Sequence, residues 1–294
     1  MTLASFYHTL KFEKRCSPHT VNAYQTDIEQ FVEYLSSQYA LSSPDEATQA
    51  IVRSWLAKLV DEGLTSRSIN RKLSALKAYY NHQLRLGEMK TNPASRVNTL
   101  KIPKRLPVSV SKAEIHSALY SQDEHETDFS IRRDHLILEL LYGTGIRLSE
   151  LTGLKISDVD FGSQTIKVTG KRNKQRIVPL GNKLLEVIQA YLEERNKLAE
   201  TGTEEIILTD KGKKAYSVFI YRKVTRYLGE AGVKGRKSPH VLRHTFATHM
   251  LNAGADLNAI KELLGHASLA ATQVYTHVSV EKLKSIYKQA HPRA

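Results

Sequence analysis

Cysteine is almost absent from this chain of 294 residues, in which Cys16 is the single example. One cysteine can form neither an intramolecular disulfide nor the cysteine pairs of a structural zinc site. Such cysteine usage is typical of a reducing compartment, so we expect a cytoplasmic protein. No apolar run reaches the roughly 18 residues of a membrane-spanning helix, and the N-terminal residues do not show the pattern of a secretory signal.

Motifs of several common enzyme classes are also missing. The sequence has no Gly-x-x-x-x-Gly-Lys-Ser/Thr phosphate loop, no Gly-x-Gly-x-x-Gly after a strand and no His-Glu-x-x-His. Nucleotide hydrolysis, dinucleotide-dependent chemistry and zinc-dependent proteolysis therefore lack support. We expect neither a metal nor another cofactor.

Positive charge, in contrast, is abundant. The chain has 43 lysine and arginine residues against 30 aspartate and glutamate residues, a formal net charge of +13. Such a surplus indicates a polyanionic partner. A membrane surface is one alternative, but the sequence has no basic amphipathic helix with a bulky apolar face. We therefore expect nucleic acid as the partner. On charge alone, the other alternative is a basic protein that binds no polyanion.

Apolar periodicity predicts helices in the first third of the chain. One helix opens at Ser17-Pro18, a second stops at Gly63, and a third runs from Ser66 to Leu86. On the third helix Arg67 and Arg71 share a face, with Lys72 beside it. This stripe is either directed at phosphates or a solvated helix face, and the sequence does not choose.

Helical periodicity is lost between Asn92 and Pro107, where basic residues accumulate. We predict an N-terminal helical domain over 1–97, a linker over 98–107 and a C-terminal domain over 108–294. In the latter, Thr165–Thr169 and Arg176–Leu180 flank a polar turn as two strands, among helices predicted at 131–142, 148–154, 183–198, 217–229, 241–253, 257–264 and 280–289. The expected fold is mainly α with a small antiparallel β-sheet, a helical bundle plus a mixed α/β catalytic domain. A basic linker between two basic domains suits a C-shaped clamp around DNA.

Two arginines of the C-terminal domain lie next to sequence features that are typical of an anion-binding site. His240 and Arg243 are three residues apart at a predicted helix start, where the partly positive helix end favours an anion. Arg147 follows Gly143 and Gly145, which permit a sharp turn just before a helix.

Three further side chains complete a set suited to phosphoryl transfer. Lys171 lies at the tip of the predicted hairpin, His266 follows a helix end, and Tyr275 comes shortly afterwards. Arginines match the charge of a phosphodiester transition state, a tyrosine can be the nucleophile, and a lysine can protonate the leaving oxygen. Taken alone each residue is weak evidence, since an isolated tyrosine among apolar neighbours is usually part of a core.

Together these segments resemble the tyrosine recombinase (lambda-integrase-like) family, and most closely its Xer branch. The ordered set of Arg, Lys, His-x-x-Arg, His and Tyr is complete, and the resemblance covers nearly the whole chain. The matching segments are Gly143–Glu150, Gly170-Lys171 with Arg176–Leu180, His240–His249, Leu264–His266, Tyr275–His277, Ser17–Tyr24 and Asn92–Ala94.

The resemblance implies that Tyr275 attacks the scissile phosphate, leaving a 3′-phosphotyrosine and a free 5′-hydroxyl. Arg147 and Arg243 would hold the non-bridging oxygens, with Glu150 supporting Arg147. The phosphotyrosine conserves the bond energy, so no cofactor is implied.

The remaining roles concern protons. The resemblance implies that His240 and His266 assist proton transfer and that Lys171 is the general acid toward the leaving 5′-oxygen. Arg172 stands in the predicted hairpin turn at a position where the family often has glycine. This departure concerns the conformation of the turn around Lys171 and leaves the lysine itself in place.

The resemblance also implies double-stranded DNA with a short inverted-repeat site as the substrate. The helix at 217–229 would enter a major groove, with Arg222 and Arg226 facing bases or phosphates. Four copies would assemble on two sites, as a homotetramer or with a related recombinase. The last helix, at 280–289, would dock on a neighbouring subunit or on its own domain. A septal DNA translocase is a candidate partner, and the expected location is the nucleoid.

The leading hypothesis is a Xer-like recombinase that resolves chromosome dimers at a dif-type site. An integrase of a phage, transposon or integron shares the chemistry, and a type IB topoisomerase would relax supercoils as a monomer. A non-catalytic DNA-binding regulator is the alternative from another class, but it would not need the tyrosine.

Overall fold

The structure is a computed structural model that describes residues 2–102, 109–120, 128–170, 173–198, 203–265 and 280–291. The chain divides into two compact units, Met1–Arg105 and Leu106–Ala294, and each has its own hydrophobic core. The division falls among the residues predicted as a linker. No described helix is long and apolar enough to cross a membrane.

The N-terminal unit consists of helices, as the periodicity predicts. Buried aromatic side chains, including Phe6, Phe31, Trp55 and Tyr80, fill the space between them. The helices are α1 (Thr2–His8), continued by a π-helical turn (Thr9–Glu13), α2 (Pro18–Tyr39), α3 (Gln49–Asp61) and α4 (Ser66–Leu86), with a 3₁₀ turn at Pro44–Glu46. Apolar periodicity did not predict α1.

Capping side chains explain where these helices begin and end. Ser17, Thr48 and Thr65 each accept a hydrogen bond from the backbone N–H three residues ahead, which satisfies an amide that the helix itself leaves unpaired. Pro18 occupies the first turn of α2, where no N–H is needed. Gly87 ends α4 with a φ of 76°, a left-handed conformation that glycine adopts without steric cost.

The C-terminal unit combines helices with a small sheet around one core, so the predicted fold class is confirmed. Helix α6 lies at the centre of this core, since Leu136, Ile137, Leu140 and Leu141 are fully buried. The elements are α5 (Lys112–Tyr120), α6 (Asp128–Thr144), α7 (Leu148–Leu151), a 3₁₀ turn (Ile156–Asp158), β1 (Val159–Asp160), β2 (Thr165–Thr169), β3 (Gln175–Pro179), α8 (Asn182–Leu198), α9 (Ser217–Glu230), α10 (Pro239–Asn252), α11 (Leu257–Leu264) and α12 (Val280–Ala290).

The sheet is antiparallel in the order β1-β2-β3. Its two longer strands match the predicted hairpin, and Ile166 of β2 stands opposite Val178 of β3, both buried. The predictions did not include β1, whose two residues are too short for an alternating pattern. The predicted general acid, Lys171, comes between β2 and β3 in the sequence and lies outside the described residues.

The last helix, α12, packs on its own unit. The Tyr287 hydroxyl is buried and donates a 3.0 Å hydrogen bond to the Gly143 carbonyl. The His291 ring stacks on the Tyr287 ring with 4.9 Å between centroids, and it also contacts the rings of Tyr142 and Phe246. Of the two docking alternatives that the sequence left open, the structure shows packing on the same chain.

Burial of His291 predicts acid sensitivity. Burial, with the charges of His249 and Lys112, lowers the pKa of His291 to about 3, below its ordinary 6.5. The neutral ring is therefore favoured in the folded state, and this contribution to stability is complete above pH 6.5 and is lost as the pH falls toward 3. Between pH 6.5 and 5 the loss should reach about 2 kcal/mol, since each pH unit is worth about 1.4 kcal/mol.

Calorimetric melting of the parent chain and of His291→Phe at pH 7 and pH 5 checks this expectation. The variant should lose much less stability on acidification than the parent. His19→Phe, at an exposed histidine, is the control and should behave like the parent. Equal acid sensitivity of the His291 variant and the parent would contradict this role of the buried ring.

Candidate active site

The structure brings part of the predicted residue set together in the C-terminal unit. Arg147 precedes α7, Glu150 lies within α7, and Arg243 lies one turn into α10. His240 lies in the first turn of α10 and is exposed. Lys171, Arg172, His266 and Tyr275 lie outside the described residues, so their positions stay predictions.

A glycine bend delivers Arg147 to the site. Gly145 follows α6 with a φ of 63°, and a Cβ atom there would lie 2.6 Å from the Phe246 ring and 2.8 Å from the Leu264 side chain. Only glycine fits this combination of left-handed backbone and close packing. The Gly145 carbonyl accepts a 2.5 Å hydrogen bond from Arg243 Nη1, so the same bend also contacts the second arginine.

Glu150 is the anionic centre of the site. Its carboxylate accepts a 2.7 Å hydrogen bond from the Arg147 backbone N–H and a 2.8 Å bond from Arg147 Nη1. A third arginine, Arg176 of β3, reaches the same carboxylate with Nη1 at 3.0 Å from Oε1 and Nη2 at 2.9 Å from Oε2. This two-point contact is the strongest geometry for an arginine–carboxylate pair.

The predicted site set did not include Arg176, although its segment carried part of the family resemblance. The sequence did contain a signal for Arg176, because residues two apart on a strand face the same side of the sheet and Arg176 is two residues before Val178 on β3. Val178 is fully buried, whereas Ile177 between them is 38% exposed. An arginine on the core-facing side of a strand needs a buried partner, and Glu150 is that partner.

The C-terminal end of α11 binds all three arginines through its backbone. The carbonyl of Leu263 accepts from Arg176 Nε at 2.7 Å, that of Leu264 from Arg243 Nη2 at 2.5 Å and that of Gly265 from Arg147 Nη2 at 3.2 Å. The last carbonyls of a helix have no partner within it and carry partial negative charge. This helix end therefore gathers the three cations that the fold brings close.

Burial and charge set the protonation states of the cluster. Burial raises the pKa of Glu150, but hydrogen bonds from Arg176 and Arg147 and the charge of Arg176 outweigh this effect and hold the pKa at about 2. Burial, with the nearby charge of Arg147, lowers the pKa of Arg243 to about 10. At neutral pH three guanidinium groups of the described residues thus face one carboxylate, and this cluster keeps a net positive charge that suits an anion.

The two basic residues predicted on α9 differ in their surroundings. Arg222 is exposed. The guanidinium of Arg226 lies 3.7 Å from the buried carboxylate of Asp134 and 3.6 Å from Glu230. Arg222 is therefore available to a ligand, whereas Arg226 also links α9 to α6.

The predicted stripe on α4 divides in the same way. Arg67 and Arg71 are both exposed, and Arg71 Nη1 donates a hydrogen bond to Asp27 Oδ2. Lys72 is buried, and its Nζ lies 3.0 Å from Asp27 Oδ1. DNA contact by these residues stays a prediction, and the burial of Lys72 favours a structural role for its ammonium group.

Both units match models of one family. Residues 111–282 match the phage integrase family, and residues 3–87 match the phage integrase N-terminal SAM-like domain. The tyrosine recombinase XerC of Chlorobaculum parvum is 39% identical over 318 residues, covering 99% of this chain and 94% of that protein. The XerC of Pelobacter propionicus is 40% identical over 293 residues, covering 99% and 95%.

The chain belongs to the phage integrase family of tyrosine recombinases. Solved structures of tyrosine recombinases share its fold. XerH bound to palindromic difH substrate in a post-cleavage complex has a TM-score of 0.73 at 24% identity, over 97% of this chain and 83% of that chain. The Tn1549 transposon integrase in complex with transposon right end DNA has a TM-score of 0.70 at 22% identity, over 98% and 99%.

The bend at Gly145 gives a stability prediction for this recombinase. Gly145→Ala should reduce the free energy of unfolding by about 2–5 kcal/mol, because a left-handed backbone and an overpacked contact add together. Gly232→Ala is the matched control, since Gly232 has a φ of 76° but a Cβ atom there would meet nothing within 4 Å. It should lose about 1–2 kcal/mol from backbone strain alone.

Urea unfolding of the two variants and the parent measures the difference. Equal losses in both variants would show that the contact with Phe246 and Leu264 is not a constraint.

Proposed function

We propose that this tyrosine recombinase breaks and rejoins DNA at a specific site through a 3′-phosphotyrosine on Tyr275. The observation that carries the proposal is the net positive cluster that Arg147, Arg243 and Arg176 form around the carboxylate of Glu150 among the described residues. A phosphodiester transition state spreads negative charge over its non-bridging oxygens, and oriented guanidinium groups stabilise that charge without rearranging. The family membership and the ordered motif set support the same chemistry.

In this scheme Arg147 and Arg243 bind the non-bridging oxygens of the scissile phosphate. The guanidinium of Arg147 donates to Glu150 and to the Gly265 carbonyl, and these bonds use two of the five N–H donors that such a group carries. His240 is exposed at the partly positive start of α10, where an anion is stabilised. Its position supports a contact with the phosphate or with a proton in transfer.

The remaining steps belong to residues outside the described ranges. Tyr275 Oη attacks phosphorus, the bond to the 5′-oxygen breaks, and Lys171 supplies the proton to that oxygen. His266 assists His240 in proton transfer and charge stabilisation. The scheme uses neither metal nor nucleotide, because the energy of the broken phosphodiester is kept in the phosphotyrosine.

The biological role we propose is Xer-like resolution of chromosome dimers at a short inverted-repeat site of the dif type. The relatives of similar length are XerC recombinases, and XerH was solved on a palindromic difH substrate. Arg222 on α9 and Arg67 on α4 are exposed cations that could contact phosphates. The active assembly is a tetramer on two sites, of one chain or with a related recombinase, in the cytoplasm at the nucleoid. A septal DNA translocase is the proposed activator.

Replacing Tyr275 with phenylalanine tests the nucleophile. Tyr275→Phe should abolish the covalent protein–DNA adduct on a nicked suicide substrate, because the ring no longer carries an attacking oxygen, while DNA binding is retained. Denaturing gels measure the adduct and mobility shifts measure binding. Tyr216→Phe, at an exposed tyrosine of the same unit, is the control and should form the adduct. An adduct that persists in the Tyr275 variant means that another residue is the nucleophile.

A second substitution tests the general acid. Lys171→Ala should slow cleavage of an ordinary substrate by about 100-fold, within the usual range for loss of general-acid catalysis. A substrate with a 5′-bridging phosphorothiolate has a leaving group that needs no acid, so the variant should cleave it at nearly the parental rate. Lys174→Ala, at the exposed lysine of the same hairpin turn, is the control. Equal loss on both substrates would remove this role from Lys171.

A further inference from the structure

Arg176 is a third arginine of the site, and the proposed scheme gives it no direct contact with the phosphate. All three nitrogens of its guanidinium group are engaged inside the protein, with Nε on the Leu263 carbonyl and Nη1 and Nη2 on the two oxygens of Glu150. Its side chain is 13% exposed, compared with 29% for Arg147. These contacts direct Arg176 toward protein groups rather than toward a DNA phosphate.

Three segments of the site meet at this guanidinium. Arg176 itself lies on β3, the strand that follows Lys171 in the sequence. Through Glu150 it reaches Arg147, and through Leu263 it reaches the end of α11, directly before Gly265 and His266. One side chain therefore joins the segments that lead to three of the proposed catalytic residues.

Two glycines let the backbone approach this ion pair closely. A Cβ atom at Gly265 would lie 3.2 Å from Arg176 Cδ and 3.3 Å from Nη1, and the residue has a φ of 63°. A Cβ atom at Gly170 would lie 3.3 Å from Glu150 Oε1. The backbone just before Lys171 and just before His266 is thus packed against Arg176 and Glu150.

We propose that Arg176 is a positioning residue, which holds Glu150 on Arg147 and fixes the hairpin against the end of α11. This inference rests on the proposed function and adds to it a residue that acts through others. A lysine cannot replace Arg176 fully, because one ammonium group cannot reach both carboxylate oxygens and the Leu263 carbonyl in the same planar geometry.

Removal of the Arg176 charge should also change the titration of Glu150. Among the described residues, the charged groups around this carboxylate are Arg147 just before α7, Arg176 on β3 and Arg243 on α10. The Glu150 side chain is 2% exposed, and this burial favours the protonated carboxyl group. Without Arg176 the effect of burial is opposed less, so the pKa of Glu150 should rise. A protonated Glu150 would bind Arg147 less well, and cleavage would then weaken as the pH falls.

The experiment compares Arg176→Gln and Arg176→Lys with the parent chain on the nicked suicide substrate at saturating protein. The Gln variant should lose about 100-fold in the single-turnover cleavage rate, the cost expected for misplaced reacting groups, with DNA affinity unchanged. Its rate should fall further from pH 8 to pH 5.5, relative to the parent. The Lys variant keeps the charge, so it should show the parental pH dependence and an intermediate rate.

Lys167→Met is the matched control, because Lys167 is a cation of the same sheet that pairs with Asp158 and not with Glu150. It should cleave at the parental rate. Melting temperatures show whether each variant folds. If Arg176→Gln does not fold, the test relies on Arg176→Lys, which preserves most of the packing. Its parental pH dependence with a reduced rate supports the proposal, whereas a parental rate overturns it.

Two other results overturn the inference. One is a Gln variant that cleaves as fast as the parent. The other is a slow Gln variant with the parental pH dependence, which would mean that Arg176 supports the fold without holding Glu150. A parent chain that forms no adduct is a different result, since it refutes the proposed function itself.

Discussion

The site depends on how three guanidinium groups can be held close together. Arg147, Arg176 and Arg243 repel one another, and the fold offsets this with the carboxylate of Glu150 and the last carbonyls of α11. Each carbonyl of Leu263, Leu264 and Gly265 accepts from a different arginine. In the part of the site that the structure describes, one carboxylate faces three cations, so their positive charge is only partly neutralised. The protein therefore holds its arginines in place and still offers a net positive site to an anion.

The rest of the C-terminal unit places the groups that make this arrangement. The buried helix α6 ends in the Gly145 bend, which directs Arg147 to the site and presents a carbonyl to Arg243. The same end of α6 is bound by α12, whose Tyr287 donates to the Gly143 carbonyl under the stacked ring of His291. The docking of α12 and the placement of Arg147 thus depend on neighbouring residues of α6 and the bend after it. Acid that weakens the docking of α12 should therefore also disturb the position of Arg147.

The sequence predicted local structure well because helix ends and strands depend on the types of residues close to one another in the chain. Capping residues such as Thr65 and Gly87 mark helix ends, and alternating β-branched residues mark the hairpin. It could place Arg147 and Arg243 locally because their motifs lie within a few residues of turns and helix starts. It could not predict which distant residues pair. Lys72 meets Asp27, Arg226 meets Asp134 and Arg176 meets Glu150 only after folding, and no periodicity records such contacts.

A crystal structure of the recombinase joined to its nicked DNA tests the central claim most directly. We expect phosphorus bonded to Tyr275 Oη, with Arg147 and Arg243 each donating to a non-bridging oxygen at about 3 Å. Glu150 should still bridge Arg147 and Arg176 in that complex. A phosphate bound away from these two arginines, or a Glu150 carboxylate released from them when DNA is bound, would contradict the claim.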